Sequence, residues 1–190
     1  VVVYKVMYCL AEQMGLSGEL LRQMIPYAAM ATVCDVMELR GENRTIVALG
    51  LKLLRESSDI GINALIEENQ ILKENLSAYH MGFVLGPCLN ASGRLDVAVK
   101  GLGLLLCDNP GEAAVQAKEI TELNRTRKDM TAKGVEEAKR QVLENEDIPP
   151  VLVIYLPECH ESLAGIIAGR IREIYHKPVF VLTNGEEGIK

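Results

Sequence analysis

The residue with the strongest chemical demand in this sequence is Arg170. At about 100° per residue from Leu163, Ile166 falls at about 300°, Arg170 at about 340°, Ile174 at about 20° and Ile167 at about 40°. The guanidinium therefore belongs to an apolar stripe, whereas Arg172 lies at about 180°, on the opposite, wet face. A charge buried in such a stripe requires an anion or hydrogen-bond partners. A structural salt bridge, or a stem that snorkels to the domain rim, would meet the same need. His160 stands between a strand-like run and this helix, where free amides and the helix dipole favour anions. It could donate to a phosphate or assist a proton transfer; it could equally cap the helix.

Asp35 follows the apolar run Tyr27-Ala28-Ala29-Met30-Ala31-Thr32-Val33-Cys34, which is expected to be buried on all sides. A carboxylate emerging from such a run suits a hard metal ion, or a hydrogen-bonded turn. A single carboxylate does not make a two-metal site, whose ions lie about 4 Å apart and share several ligands. Glu38 and Glu42 are expected to be solvated. Asn90 and Arg94 belong to the Gly-, Pro- and Asn-rich stretch 82–94, expected to be a loop whose glycines let backbone approach a ligand. Arg94 could grip a phosphate bidentately. The basic residues Arg125, Arg127, Lys128, Lys133, Lys139 and Arg140 alternate with acids at helical spacing and read as a solvated face.

The elements that must position these groups follow from periodicity and punctuation. Helices are expected over 4–14, closed by Gly15, over 20–25, stopped by Pro26, over 44–55 after a turn at 41–43, over 63–68 and 70–76, and over 96–106. Asn109-Pro110-Gly111-Glu112 is a helix start, with Asn as cap and Pro at the first position. No stop precedes Asn145, so a helix of about 35 residues and about 50 Å is expected, with Gly134 as its weak point. So long and charged a helix is expected to bridge two domains, and Pro149-Pro150 marks a boundary. Strands over 151–156 and 178–182 flank a helix over 163–175, a βαβ unit with parallel strands. The loop 157–162, at the carboxyl end of the first strand, is where such units bind ligands.

Composition narrows the classes. The sequence has 190 residues, 48% hydrophobic and 24% charged, which excludes disordered and fibrous classes. No apolar run approaches the roughly 20 residues of a membrane span, and the start does not read as a signal peptide. Both ends look cut from something longer. Five scattered cysteines, Cys9, Cys34, Cys88, Cys107 and Cys159, fit no zinc spacing and suggest reduced, mostly buried thiols in a cytoplasmic protein. The formal net charge of −6 means that nucleic-acid binding would have to rest on a local patch.

Four segments together resemble RecJ-type members of the DHH phosphoesterase superfamily. They are Ala31-Thr32-Val33-Cys34-Asp35-Val36-Met37-Glu38-Leu39 with Gly41-Glu42-Asn43-Arg44; Gly86-Pro87-Cys88-Leu89-Asn90-Ala91-Ser92-Gly93-Arg94-Leu95; Leu123-Asn124-Arg125-Thr126-Arg127; and His160-Glu161-Ser162-Leu163-Ala164-Gly165-Ile166-Ile167-Ala168-Gly169-Arg170. The resemblance implies an α/β protein: a mainly helical C-terminal part of a DHH catalytic domain (1–108), a long connecting helix (109–148), and the start of a βαβ DHHA1 domain (149–190). It implies hydrolysis of single-stranded DNA from the 5′ end with two Mn²⁺ or Mg²⁺ ions in an interdomain cleft. Asp35 would match a metal ligand, and Asn90 and Arg94 a phosphate-binding loop, with Arg94 on the 5′-terminal phosphate. His160 would act in catalysis and, with Arg170, contact DNA or the scissile phosphate.

The family's Asp-x-Asp and Asp-His-His elements are absent from the sequence, so an internal fragment without activity of its own is expected. Cys88, Cys159 and Ser162 depart from the family pattern: relatives often carry a basic residue at the first, and Trp and Gly at the other two. An oligoribonucleotide or cyclic-dinucleotide phosphodiesterase of the same superfamily, and a non-catalytic nucleic-acid-binding relative, are the other readings. Protein partners are not specified.

Overall fold

A computed structural model describes residues 1–144, 147–185 and 188–190. The expected helix stop at Asn145 lies outside the described residues. The chain divides into two compact units, 1–93 with 98–121, and 94–97 with 122–190.

The first unit is helical. Helix α1 (Val2–Met14) closes on Gly15, whose φ of 66° is left-handed, with Leu16 N–H donating to Ala11 O at 2.9 Å. Helix α2 (Gly18–Cys34) runs through Pro26, where a stop was expected. A proline inside a helix costs about 3 kcal/mol. Burial of Ala28, Ala29, Met30 and Thr32 just beyond it outweighs that cost. Ala31 is nevertheless exposed, so the run is not buried on all sides. Helix α3 (Gly41–Glu56) takes the expected 41–43 turn as its own first turn and buries Val47, Gly50 and Leu54 along one stripe. A Cβ on Gly50 would lie 2.3 Å from Ala29 Cβ and 3.1 Å from Ile25 O, so α2 and α3 pack there almost backbone to backbone.

Helix α4 (Ile60–Glu68) is capped by Asp59, whose Oδ1 accepts from Ile62 N at 2.9 Å while Oδ2 accepts from Tyr27 OH. A single 3₁₀ turn, Lys73–Asn75, replaces the helix expected over 70–76. A short helical turn α5 (Ala78–His80) leads into a π-helical turn at Met81–Leu85 and then into helix α6 (Gly86–Leu95). The stretch 82–94 is thus helical, not a loop. Pro87 sits in the first turn of α6, where its missing N–H is tolerated. Met81, Leu85, Cys88 and Ser92 are all buried at helical spacing. Helix α7 (Val99–Leu105) is shorter than expected. The core of this unit gathers Leu54, Ile62, Leu65, Ile66, Met81, Leu85, Leu104 and Ile120.

Helix α8 (Pro110–Leu143) is the expected long helix, at 34 residues, with Asn109 Oδ1 accepting from Gly111 N at 2.9 Å and Glu112 N at 3.1 Å. Its later half belongs to the second unit. There strand β1 (Leu152–Tyr155), helix α9 (Glu161–Tyr175) and strand β2 (Val179–Leu182) form the βαβ unit, with Leu152 opposite Val179 and Tyr155 opposite Leu182 in a parallel pair. A second, antiparallel pair joins β3 (Asn184–Gly185) to β4 (Gly188–Ile189). Ala138, Val142, Leu152, Ile154, Leu156, Leu163, Ile167 and Ile171 make this unit's core. All five cysteines are free, but only Cys88 is buried, against the expectation of mostly buried thiols. No helix among the described residues is long and apolar enough to cross a membrane.

Candidate functional site

Within the second unit, Arg94 meets the first turn of α9 in a polar junction. His160 is the N-cap of α9, with φ −63° and ψ 130°. Its Nδ1 lies 3.3 Å from Ser162 N and 2.8 Å from Ser162 Oγ. Ser162 Oγ in turn donates to Arg94 O at 3.0 Å, and Arg94 Nη1 donates to Ser162 O at 2.9 Å. Ser162 thus holds Arg94 twice, once by backbone and once by side chain. Two residues from distant motifs are brought together by it. Both Arg94 and His160 are exposed, and a helix N-terminus lies beside them, so the junction can receive an anion.

The loop after β1 completes the surroundings. Thr183 Oγ1 donates to Cys159 O, tying the loop to the end of β2. A cavity of about 440 Å³ opens here, its lining including Met130, Leu156 and Leu163 together with Lys133, Glu137, Glu158 and His160. Burial pushes the Cys159 thiol up, so it is a poor nucleophile at neutral pH. Glu161 follows the cap. A hydrogen bond from Lys190, at 2.7 Å, and that lysine's charge hold its carboxyl below the usual value, with His160 a lesser contributor.

Arg170 is not where the sequence put it. It is exposed and meets Glu173 at 3.4 Å. The buried stripe of α9 is Leu163, Ile167 and Ile171, at about 0°, 40° and 80°, so its centre lies some 60° from Arg170. Ile166, whose angle of about 300° set the far edge of the expected stripe beyond Arg170, is only half-buried. An exposed guanidinium carries no desolvation cost that an anion must offset. What stands is an accessible arginine with one loose partner.

The first unit holds the other candidates. Asp35 is the exposed C-cap of α2, beside a cavity of about 480 Å³ that Thr32, Met37 and Asn43 also line. Asn90 is exposed on α6, one turn before Arg94. Burial, with a smaller contribution from the Asp35 charge, pushes the Cys34 thiol up. No group of three or more His, Cys, Asp or Glu side chains able to hold a metal occurs among the described residues. The residues present therefore do not by themselves fit a two-metal centre. Most basic positions of α8 behave as a solvated face, Lys139 pairing with Glu136 at 2.7 Å and Arg140 with Glu137 and Glu144, each at 2.6 Å, but Arg127 is half-buried and its Nε donates to Oδ1 of buried Asn124 at 3.1 Å. Sequence reasoning missed Ser162 as a bridge. Its signal was an N-cap+2 hydroxyl, which periodicity does not weigh.

No family model matches the sequence. Curated relatives do. The chain is 39% identical over 173 residues to the single-stranded-DNA-specific exonuclease RecJ of Salmonella typhimurium, covering 88% of the chain and 30% of that protein. The RecJ of Escherichia coli is 38% identical over the same shares, and that of Thermus thermophilus 33% identical over the whole chain and 27% of its own length. Among solved structures, the Thermus thermophilus RecJ in complex with Mg²⁺ matches with a TM-score of 0.76 at 33% identity, over 92% of this chain and 27% of that one. An exonuclease RecJ bound to manganese matches with a TM-score of 0.80 at 30% identity, over 95% of this chain and 45% of that one. The chain spans about 30% of the length of the curated relatives it matches. By sequence and by fold it is RecJ-like, similar over most of its own length to part of those exonucleases.

Proposed function

We propose that the chain is the middle portion of a cytoplasmic, metal-dependent exonuclease that hydrolyses single-stranded DNA from the 5′ end, and that it is inactive alone. On this reading residues 1–108 complete a DHH catalytic domain, 109–148 connect, and 149–190 begin a DHHA1 domain. The observation that carries it is the Arg94–Ser162–His160 junction. It sets a bidentate cation and an imidazole together at a helix N-terminus, an arrangement suited to a phosphate.

Arg94 binds the 5′-terminal phosphate with Asn90 beside it on α6, and His160 and Arg170 contact the DNA or the scissile phosphate. Asp35 supplies one ligand to a Mn²⁺ or Mg²⁺ centre whose other ligands lie outside this sequence. Arg170 fits the role through its exposure: its loose contact with Glu173 leaves it open to exchange for a phosphate oxygen.

The test uses a 5′-labelled single-stranded oligonucleotide and Mn²⁺. The full-length gene product should degrade it, and the purified 190-residue chain should not. Degradation by the chain alone would overturn its proposed incompleteness. An inert full-length protein would overturn the enzyme reading. Within the full-length protein, Arg94→Ala should cost about 10–100-fold in kcat/KM on 5′-phosphorylated strands, the loss of one charge-assisted contact of about 1.5–3 kcal/mol.

A further inference from the structure

A single strand presents bases as well as phosphates, and Arg94, His160 and Arg170 answer only the phosphates. Tyr79 and Phe83, in the first unit, suit a base. They are 63% and 68% exposed, yet their rings are ordered. The two rings stack on one another, with centroids 5.2 Å apart and planes at 24°. Tyr79 also meets the His80 ring edge to face, at 5.8 Å and 82°. His80 is pinned in turn, because its Nδ1 accepts from Ser77 N at 3.1 Å. Rings braced in this way offer a flat apolar surface whose freedom is already restricted before anything binds.

The backbone beneath is equally fixed. Phe83 lies in the π-helical turn at Met81–Leu85, a distortion found mostly at functional sites. The inner side of this turn packs closely on α2: a Cβ on Gly86 would lie 2.2 Å from Cys34 Sγ, and one on Gly82 3.1 Å from Val33 Cγ1. Met81 and Leu85 are buried, and Phe83 is left outside. Over 78–93 only Tyr79, Phe83, Asn90 and Gly93 are exposed, so the aromatic pair and the Asn90 amide share one continuous helical run.

Stability does not account for the pair. Aromatic rings four residues apart support a helix only weakly, and burying either ring would stabilise the fold more. A nucleobase does what an aliphatic contact does not. It continues the stack face on face, and it does so whatever its identity, as an enzyme that works along a strand requires.

We propose that Tyr79 and Phe83 form a stacking platform for a nucleobase of single-stranded DNA. The platform rests on the single-stranded-DNA reading given above and adds a base contact to its phosphate contacts.

Equilibrium binding by the full-length gene product tests this, with EDTA present so that no strand is cut. The probes are a fluorescein-labelled oligothymidylate and an abasic strand of the same length, read by anisotropy. The native protein should bind the base-bearing strand more tightly. Phe83→Ala should weaken that binding by about tenfold, the effect of one lost base–aromatic stack, and leave the abasic strand within about twofold. Phe83→Tyr, which keeps a ring, should bind as the native protein does. Phe83→Leu keeps apolar bulk for folding but has no aromatic face, and should show the same selective loss as Phe83→Ala.

Equal loss on both strands would overturn the platform and mark Phe83 as structural. So would unchanged binding in Phe83→Leu, equal affinity of the native protein for the two strands, or binding of neither. The nuclease reading stands or falls separately, on Mn²⁺-dependent degradation of the 5′-labelled strand.

Discussion

At the scale of single residues, hydrogen-bond inventory governs this molecule more than charge does. Tyr27 illustrates it. Burial, then its hydrogen bond to Asp59, then the charge of that carboxylate, all push the phenol's pKa up. The folded chain therefore holds the proton more tightly than the unfolded chain does. The stabilisation is complete below the phenol's ordinary value of about 10 and is lost as pH rises beyond it. Tyr27→Phe should cost about 1 kcal/mol at neutral pH and flatten that alkaline loss, as read by denaturant titration at several pH values.

The polar junction shows what residue types do and do not reveal. His160 and Arg94 were weak candidates by position alone and became legible through the family motifs that contain them. That they meet was not legible, because the connecting atom belongs to a serine 68 positions away from Arg94. Arg170 shows the opposite failure. A helical wheel assigns angles well but must guess the centre of the stripe, and Ile166, half-buried at about 300°, pulled that guess toward the arginine.

At the scale of elements, close approach decides which glycines matter. Gly50→Ala brings its methyl against Ala29 Cβ and the Ile25 carbonyl, neither of which can swing away. Gly134→Ala meets side chain alone, Ile167 Cδ1 at 2.4 Å and Cγ1 at 3.3 Å with Leu156 Cδ1 at 3.9 Å, and gains helix propensity. The first should destabilise by about 1–3 kcal/mol and the second by less than about 1 kcal/mol, measured by urea unfolding. Equal effects would contradict the packing described.

The elements were largely legible. The long α8, the βαβ unit and the Gly15 stop are all written in caps and periodicity. The stretch 82–94 was misread because glycine, proline and asparagine outweighed a helical spacing already present in Met81, Leu85, Cys88 and Ser92. Pro26 misled for the same reason: a local breaker was set against the burial of the residues that follow it.

At the scale of the whole molecule, two separate cores imply two sets of opening events. Ile167→Ala removes a fully buried side chain from the second core and should cost about 2–5 kcal/mol there. Amide exchange should quicken across residues 122–190 while the amides of Leu65 and Leu85 keep their protection. A uniform loss across both units would show that they unfold as one.

The two-stranded sheet has a consequence for handling the protein in solution. Parallel strands are ordinarily sandwiched on both faces and flanked by neighbours. Here no further strand flanks β1 or β2 among the described residues, the outer edge of β1 receives only Gln141 Nε2 on Tyr155 O at 2.9 Å among the side-chain bonds described, and Val153 and Phe180 are 65% and 59% exposed. An open, greasy strand edge templates pairing with another molecule. Light scattering of concentrated samples should therefore rise with time, and Val153→Lys, which sets a charge on that ribbon, should keep the solution clear.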